Sequence, residues 1–223
     1  MRISNIKKSF EKFSLHIENL EIPEGKIYGI IGPNGCGKTT AIKLMAGVAL
    51  PDSGSIDYDG LTQREITMVL RKPYLLHDTV FRNLVYPLKL RNIKPDAELI
   101  EHYLDITGLS NYRDDYALTL SGGEQQKLSL ARALIFSPKL IFIDEAFSNM
   151  DIESVAFFEN YILDIQKTEP KTWVVISHQL SNIKRLCEHV FFMHDGQIKA
   201  SGATDELLEA PENDDLKKYL QYS

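Results

Sequence analysis

The chain has 223 residues, of which 43% are apolar and 25% charged, the balance of a soluble globular protein large enough to bury a substantial core. Its net charge of −6 argues against broad electrostatic binding to nucleic acid or to an anionic lipid surface. No apolar run approaches the roughly 18 residues that span a bilayer, and the charged start MRISNIKKSFEKF carries no secretory apolar segment.

A cytoplasmic protein is expected. Its two cysteines, Cys36 and Cys187, form neither a metal-ligand spacing nor a disulfide framework. In chain order, KIYGIIG (26–32) is apolar, β-branched and bounded by glycine, which predicts a buried strand. KTTAIKLMAGV predicts the helix after it, PDSGS a turn, SIDYDG a short strand closing on Asp59 and Gly60, and ITMVL (66–70) a further strand. From Pro73 to about Leu120 the texture turns helical. TVFRNLVYPLKLR and PDAELIEHYLDITGL carry helical spacing, with Thr79 and Asp96 as starts, in an insertion of about 50 residues. QQKLSLARALIF predicts a helix stopped by Ser137 and Pro138; KLIFID is a buried strand, IESVAFFENYILDIQKT a long helix and WVVISH another buried strand. HVFFMHDGQIKASG predicts a hairpin turning at Asp195 and Gly196, followed by a helical tail over 204–223. Strands alternating with helices predict a parallel α/β sheet covered on both faces.

Three stretches carry chemistry. Gly32, Gly37, Lys38 and Thr39 fit G-x-x-x-x-G-K-[ST] between a strand and a helix. Glycines let backbone N–H groups converge on phosphate oxygens, and the helix aims its positive end at the same anion. Lys38 supplies a full charge to the β- and γ-phosphates, and the Thr39 hydroxyl suits Mg²⁺. Cys36, inside this loop, is read as a small residue, although a helix N-terminus lowers thiol pKa values. In LIFIDEAFSNMD (140–151) an apolar strand ends in Asp144 and Glu145. Ligands of an open parallel sheet bind beyond its carboxyl ends, so both acids are expected to face the loop. Asp144 then suits Mg²⁺, and Glu145 suits polarising the water that attacks the γ-phosphate. In TLSGGEQQKLSLARALIF (119–136), Gly122 and Gly123 stand before a helix, a poor choice for packing but a good one for presenting N–H groups to an anion.

In this order, the motifs resemble those of ABC-type ATPases. The stretch GPNGCGKTT, comprising Gly32, Pro33, Asn34, Gly35, Cys36, Gly37, Lys38, Thr39 and Thr40, matches Walker A. LSGGE matches the signature, LIFIDE Walker B, SNMD the loop ending in Asp151, and VVISH the switch histidine, His178. The resemblance implies a P-loop α/β core with an antiparallel β subdomain and a helical subdomain. It implies one domain over 1–223, with a nucleotide-binding core of 1–71 and 123–223 and a helical lobe of 72–122. Phe10 would lie against adenine. Two copies would clamp two ATP molecules head to tail: the phosphate loop, Asp144, Glu145 and His178 of one copy would face Ser121, Gly122, Gly123 and Asp151 of the other. ATP and Mg²⁺ are the implied cofactors, and His178 would contact the γ-phosphate or the water held by Glu145.

Departures from the family pattern are informative. Arg71 stands where the family usually has glutamine. Arginine cannot ligate a cation but pairs with phosphate, so Arg71 either contacts the γ-phosphate, swings out or alters the coupling, and it is expected to lower basal hydrolysis and make activity more dependent on a partner. Phe10 replaces the commoner tyrosine and keeps the stacking face; Glu124 and Ala146 replace the more frequent glutamine and proline. The stretch beginning KPYLLHDTVFRN (72–83) is similar to prokaryotic importers and to ATPases serving tungstate, molybdate or related oxyanions. In such transporters the groove beside it, where Tyr74, Leu75, Leu76 and Val80 would lie, receives a short helix of an integral membrane permease. The resemblance therefore implies an ATPase lying on the inner face of the membrane, bound to a permease and a second copy of itself, with an extracytoplasmic binding protein as an indirect partner and no nucleic acid. An exporter or lipoprotein-releasing ATPase is the alternative. A soluble ABC ATPase of DNA repair or translation would usually carry long coiled-coil insertions or two ATPase units, and a phosphate-loop kinase would need neither LSGGE nor His178.

Overall fold

A computed structural model describes residues 1–148 and 150–222. Asn149, within the SNMD stretch, and Ser223 lie outside the described residues. β1 (Arg2–Phe10) and β2 (Phe13–Glu21) form an antiparallel hairpin. β3 (Ile27–Ile31) runs into the glycine-rich loop and α1 (Lys38–Met45). β4 (Ser53–Asp57) returns to the free side of β1, closing a three-stranded sheet in the order β2-β1-β4. β5 (Ile66–Val69) precedes the helical segment of α2 (Val80–Leu90), α3 (Ala97–Ile106) and α4 (Gly122–Leu134). The chain then alternates: β6 (Leu140–Asp144), α5 (Ile152–Thr168), β7 (Thr172–Ile176), α6 (Leu180–Leu186) and β8 (His189–His194). It ends with β9 (Gln197–Ala203), α7 (Thr204–Glu209) and α8 (Asp214–Gln221). The second sheet has the order β5-β6-β7-β3-β8-β9, parallel throughout except for β9 at its edge.

The continuous apolar runs of β3, β6 and β7 are explained by what covers them. Ile27 and Ile31, Ile141 and Ile143, and Trp173 and Val175 point into one core, shared with α2 to α5. Tyr28 and Ile30, Leu140 and Phe142, and Val174 and Ile176 point into a second core, closed by α1 and the antiparallel sheet. Successive strand side chains alternate between the faces. With both faces covered, both alternating sets are apolar apart from Thr172 at the start of β7 and Asp144 at the end of β6, each fully buried aliphatic contributing roughly 1.5–3 kcal/mol.

In the helical segment, Thr79 and Asp96 cap α2 and α3 as expected, accepting from the N–H groups of Arg82 and Glu98. Buried Asn83 organises the approach to α2. Its Oδ1 accepts from Leu76 N at 2.7 Å, and its Nδ2 donates to the carbonyls of Leu76, Asp78 and Thr79 at 3.1, 3.3 and 2.9 Å. One side chain thereby satisfies four backbone groups of the loop before α2, which accounts for asparagine at the end of KPYLLHDTVFRN.

Five features differ from the sequence reading. The β1–β2 hairpin forms over residues given no element, because β1 buries only Ile3 and Ile6 and its alternation breaks where the pairing with β4 shifts register between Ser4 and Lys7. β4 starts inside the predicted PDSGS turn, anchored by Asp52 N donating to Lys7 O at 2.8 Å. α4 starts at Gly122, before QQKLSLARALIF, because Ser121 and Glu124 close a capping box. Short α6 was not predicted, and the helical tail divides into α7 and α8 around Pro211.

Candidate active site

The loop after β3 wraps a buried ammonium. Lys38, 6% exposed, donates from Nζ to Gly32 O at 2.7 Å and to Pro33 O at 2.9 Å. Both partners are neutral carbonyls. Among the described residues no carboxylate pairs with Lys38, so a full positive charge is held buried without a counter-charge, an arrangement that calls for an anion. Two glycines are required by space. A Cβ on Gly32 would lie 2.0 Å from Met193 O, and one on Gly37 would lie 2.6 Å from the Phe13 ring; their φ angles are +146° and +105°. Gly37 also caps the N-terminus of α1, which points at the same cleft. Asn34, Gly35 and Thr40 line the cleft, while Pro33 offers its carbonyl to Lys38. Cys36 is buried, and that burial pushes its thiol pKa up, opposite to the helix-terminus effect and consistent with a small packing residue.

The carboxyl ends of β6 and β7 deliver the acids and the histidine. Asp144 ends β6 buried, and its Oδ1 accepts from the Thr39 hydroxyl at 3.1 Å. Burial raises the Asp144 pKa and the charge of Glu145 adds to this, against the Thr39 hydrogen bond and the cations Lys43 and Arg71. Glu145 takes a left-handed backbone, φ +50°, held by its N–H donating to Ile176 O at 3.0 Å. A non-glycine residue in that region costs about 1–3 kcal/mol and is typical of functional sites. The turn aims a carboxylate that is 8% exposed into the cleft between two nitrogens. His178 Nε2 stands 2.6 Å from Oε1, and Arg71 Nη1 stands 3.0 Å from Oε2 as an ion pair without hydrogen-bond alignment.

The residues fit a phosphate with a hard cation. Thr39 Oγ1 and Asp144 Oδ1 are oxygen donors meeting at the foot of the cleft. Among the described residues no cluster of three or more His, Cys, Asp or Glu side chains could hold a metal ion. A cation here would take its remaining ligands from phosphate and water, the habit of Mg²⁺.

The predicted site residues fall into two groups. Lys38, Thr39, Arg71, Glu145 and His178 line one cleft with the loop glycines, and Asp144 lies beneath. Ser121, Gly122, Gly123 and Asp151 do not line it. Ser121 caps α4, and its hydroxyl donates to Glu124 Oε2 at 2.6 Å. Asp151 caps α5, accepting from Ser154 N and Oγ at 2.8 and 2.6 Å, which holds its pKa low. Phe10 is exposed and stacks on Phe13 across the hairpin, centroids 6.2 Å apart. Phe13 lines the cleft itself and was missed in the sequence; only the pairing of Phe10 with Phe13 across a two-residue turn, F-E-K-F, could have pointed to it. Gln126 was also missed. It is fully buried, and its Nε2 donates to Leu70 O at 3.1 Å, tying α4 to the residue before Arg71.

A family profile described as ABC transporter matches residues 15–148. The tungstate uptake system ATP-binding protein TupC of Peptoclostridium acidaminophilum is 38% identical over 207 residues, 88% of this chain and 95% of its own. The spermidine/putrescine import ATP-binding protein PotA of Spiroplasma citri is 31% identical over 224 residues, 96% of this chain and 64% of its own. Among solved structures, an ATP binding subunit of an ABC transporter superposes with a TM-score of 0.83 at 22% identity, covering 99% of this chain and 98% of that chain. A dimeric post-hydrolysis state of an ATP-binding cassette bound to ADP and Pi gives 0.80 at 23% identity, covering 91% and 98%. At such identities these two structures share the fold. No helix among the described residues is long and apolar enough to cross a membrane.

Proposed function

The chain belongs to the ABC transporter family and is an ATPase of that kind, and from this premise we propose that it powers a prokaryotic importer by hydrolysing MgATP as a pair of copies. The reading draws most on the gathering of Lys38, Thr39, Asp144, Glu145 and His178 around one cleft that Ser121, Gly122, Gly123 and Asp151 do not reach. A second copy, placed head to tail, supplies those four residues.

Lys38 and the loop N–H groups bind the β- and γ-phosphates. Phe10, backed by Phe13, offers a ring to the adenine. Thr39 and Asp144 hold Mg²⁺, which supplies charge neutralisation on the phosphates. Glu145 accepts a proton from the attacking water on its carboxylate, and His178 orients that carboxylate and stabilises the γ-phosphate oxygens. One domain over 1–223 divides into a core of 1–71 and 123–223 and a helical lobe of 72–122. Because the γ-phosphate completes the interface, its loss on hydrolysis weakens pairing, and the paired and open states are the two positions of the motor.

The partner is an integral membrane permease, with an extracytoplasmic binding protein acting through it; the ATPase lies on the inner face of the membrane. Of the residues expected beside that contact, Leu75 and Val80 are buried in the core, while exposed Tyr74, with exposed Leu90, Tyr116 and Leu118 on the helical lobe, is suited to it. The cargo is a tungstate- or molybdate-type oxyanion, a reading supported by the similarity to the tungstate uptake protein and by the stretch 72–83. In cells lacking this chain, tungstate accumulation at nanomolar supply is expected to fall and to return with the intact chain but not with a Lys38→Met copy. Unchanged accumulation would remove the oxyanion cargo. A membrane pull-down bringing ribosomes or nucleic acid and no integral membrane protein would remove the transport role.

A further inference from the structure

We propose that Arg71 is a counter-cation that exchanges partners: it holds the Glu145 carboxylate in the nucleotide-free chain and passes to the terminal phosphate of a bound nucleoside triphosphate, freeing the carboxylate. The inference deepens the reading of Glu145 as the base and rests on it.

Five observations carry it. Each oxygen of Glu145 faces a nitrogen, Oε1 to His178 at 2.6 Å and Oε2 to Arg71 at 3.0 Å, so a water at either oxygen competes with a partner already in place. Oε2 is buried and lacks an aligned hydrogen bond, so the contact with Arg71 is charge attraction alone and readily exchanged. The Arg71 side chain is 64% exposed, and Glu145 is its one recorded ion-pair partner among the described residues. Its root is fixed, because Gln126 Nε2 binds Leu70 O at 3.1 Å, so the movement belongs to the side chain. Arg71 and Lys38 line the same cleft. A guanidinium pairs bidentately with phosphate, and a triphosphate offers it more negative charge than one carboxylate. Glutamine at this position would bring no charge to either contact. The exchange is therefore a property of this chain's own substitution: without a triphosphate, the base is tied.

The test is a double-mutant cycle on binding. ATP and ADP affinities are measured by calorimetry with EDTA present, so no hydrolysis occurs, on full-length chain at a concentration where light scattering shows monomers. The intact chain, Arg71→Gln, Glu145→Gln and the double variant are compared. Glu145→Gln leaves Arg71 unpaired, so ATP binding should tighten about 2- to 5-fold, the range of one exposed ion pair, with ADP unchanged. In the Arg71→Gln background that tightening should vanish. An equal effect of Glu145→Gln with and without Arg71, or equal tightening for ADP, would overturn the exchange. Failure of the underlying reading is seen separately, as Mg²⁺-dependent hydrolysis by Glu145→Gln at the parent rate.

Discussion

Glu145→Gln lowers ATP hydrolysis by about 10²- to 10⁴-fold, the usual contribution of a positioned general base, while ATP binding survives. The substitution is nearly isosteric, and the left-handed turn that aims the side chain is held by the backbone bond to Ile176 O, which glutamine keeps. What is lost is a carboxylate oxygen able to accept a proton. Because the γ-phosphate then persists, ATP should hold two copies together, and size-exclusion with light scattering should show the 25.4 kDa chain at about twice its mass with MgATP, as expected of a closed two-fold pair. Hydrolysis at the parent rate would show that Glu145 is not the base.

Lys38→Met has the second large effect, on binding. Lys38 is a buried cation satisfied only by the carbonyls of Gly32 and Pro33. Hydrogen bonds to charged groups contribute about 1.5–3 kcal/mol, so ATP affinity should fall roughly 10- to 100-fold. Methionine fills the same space without a charge to desolvate, so the nucleotide-free chain should melt no lower than the parent. Calorimetric titration with MgATP and a thermal melt separate the two. Unchanged affinity would refute the phosphate-cradle role.

Much of this site was legible because its parts are local. KIYGI, LIFID and TWVVI read as strands because both faces of the parallel sheet are covered, and the chemistry follows directly at their carboxyl ends, at Lys38, Glu145 and His178. The capping box of Ser121 and Glu124 went unread, so the predicted helix begins after it. What was illegible arises from pairing distant segments. The β1–β2 hairpin buries few residues and is interrupted by a register shift, so its pattern resembles a charged surface loop. Phe13 reaches the cleft only once that hairpin stands beside Gly37. The tie between Gln126 and Leu70 spans 56 positions. The departure at Arg71 was visible in the sequence, but its partner was not: β5 and β6 must lie side by side before Arg71 and Glu145, one after each strand end, can meet.

On the proposed pairing, each working site is built from two chains. Mixing two inactive variants tests it: Lys38→Met spoils the phosphate loop and spares the signature, while Gly122→Asp spoils the signature and spares the loop. A mixed pair contains one intact composite site. In an equimolar mixture half of the pairs are mixed, each with one working site of two, so MgATP hydrolysis should recover to about one quarter of the parent rate for a two-fold pair. A mixture no more active than either variant alone would mean that the two copies share no site.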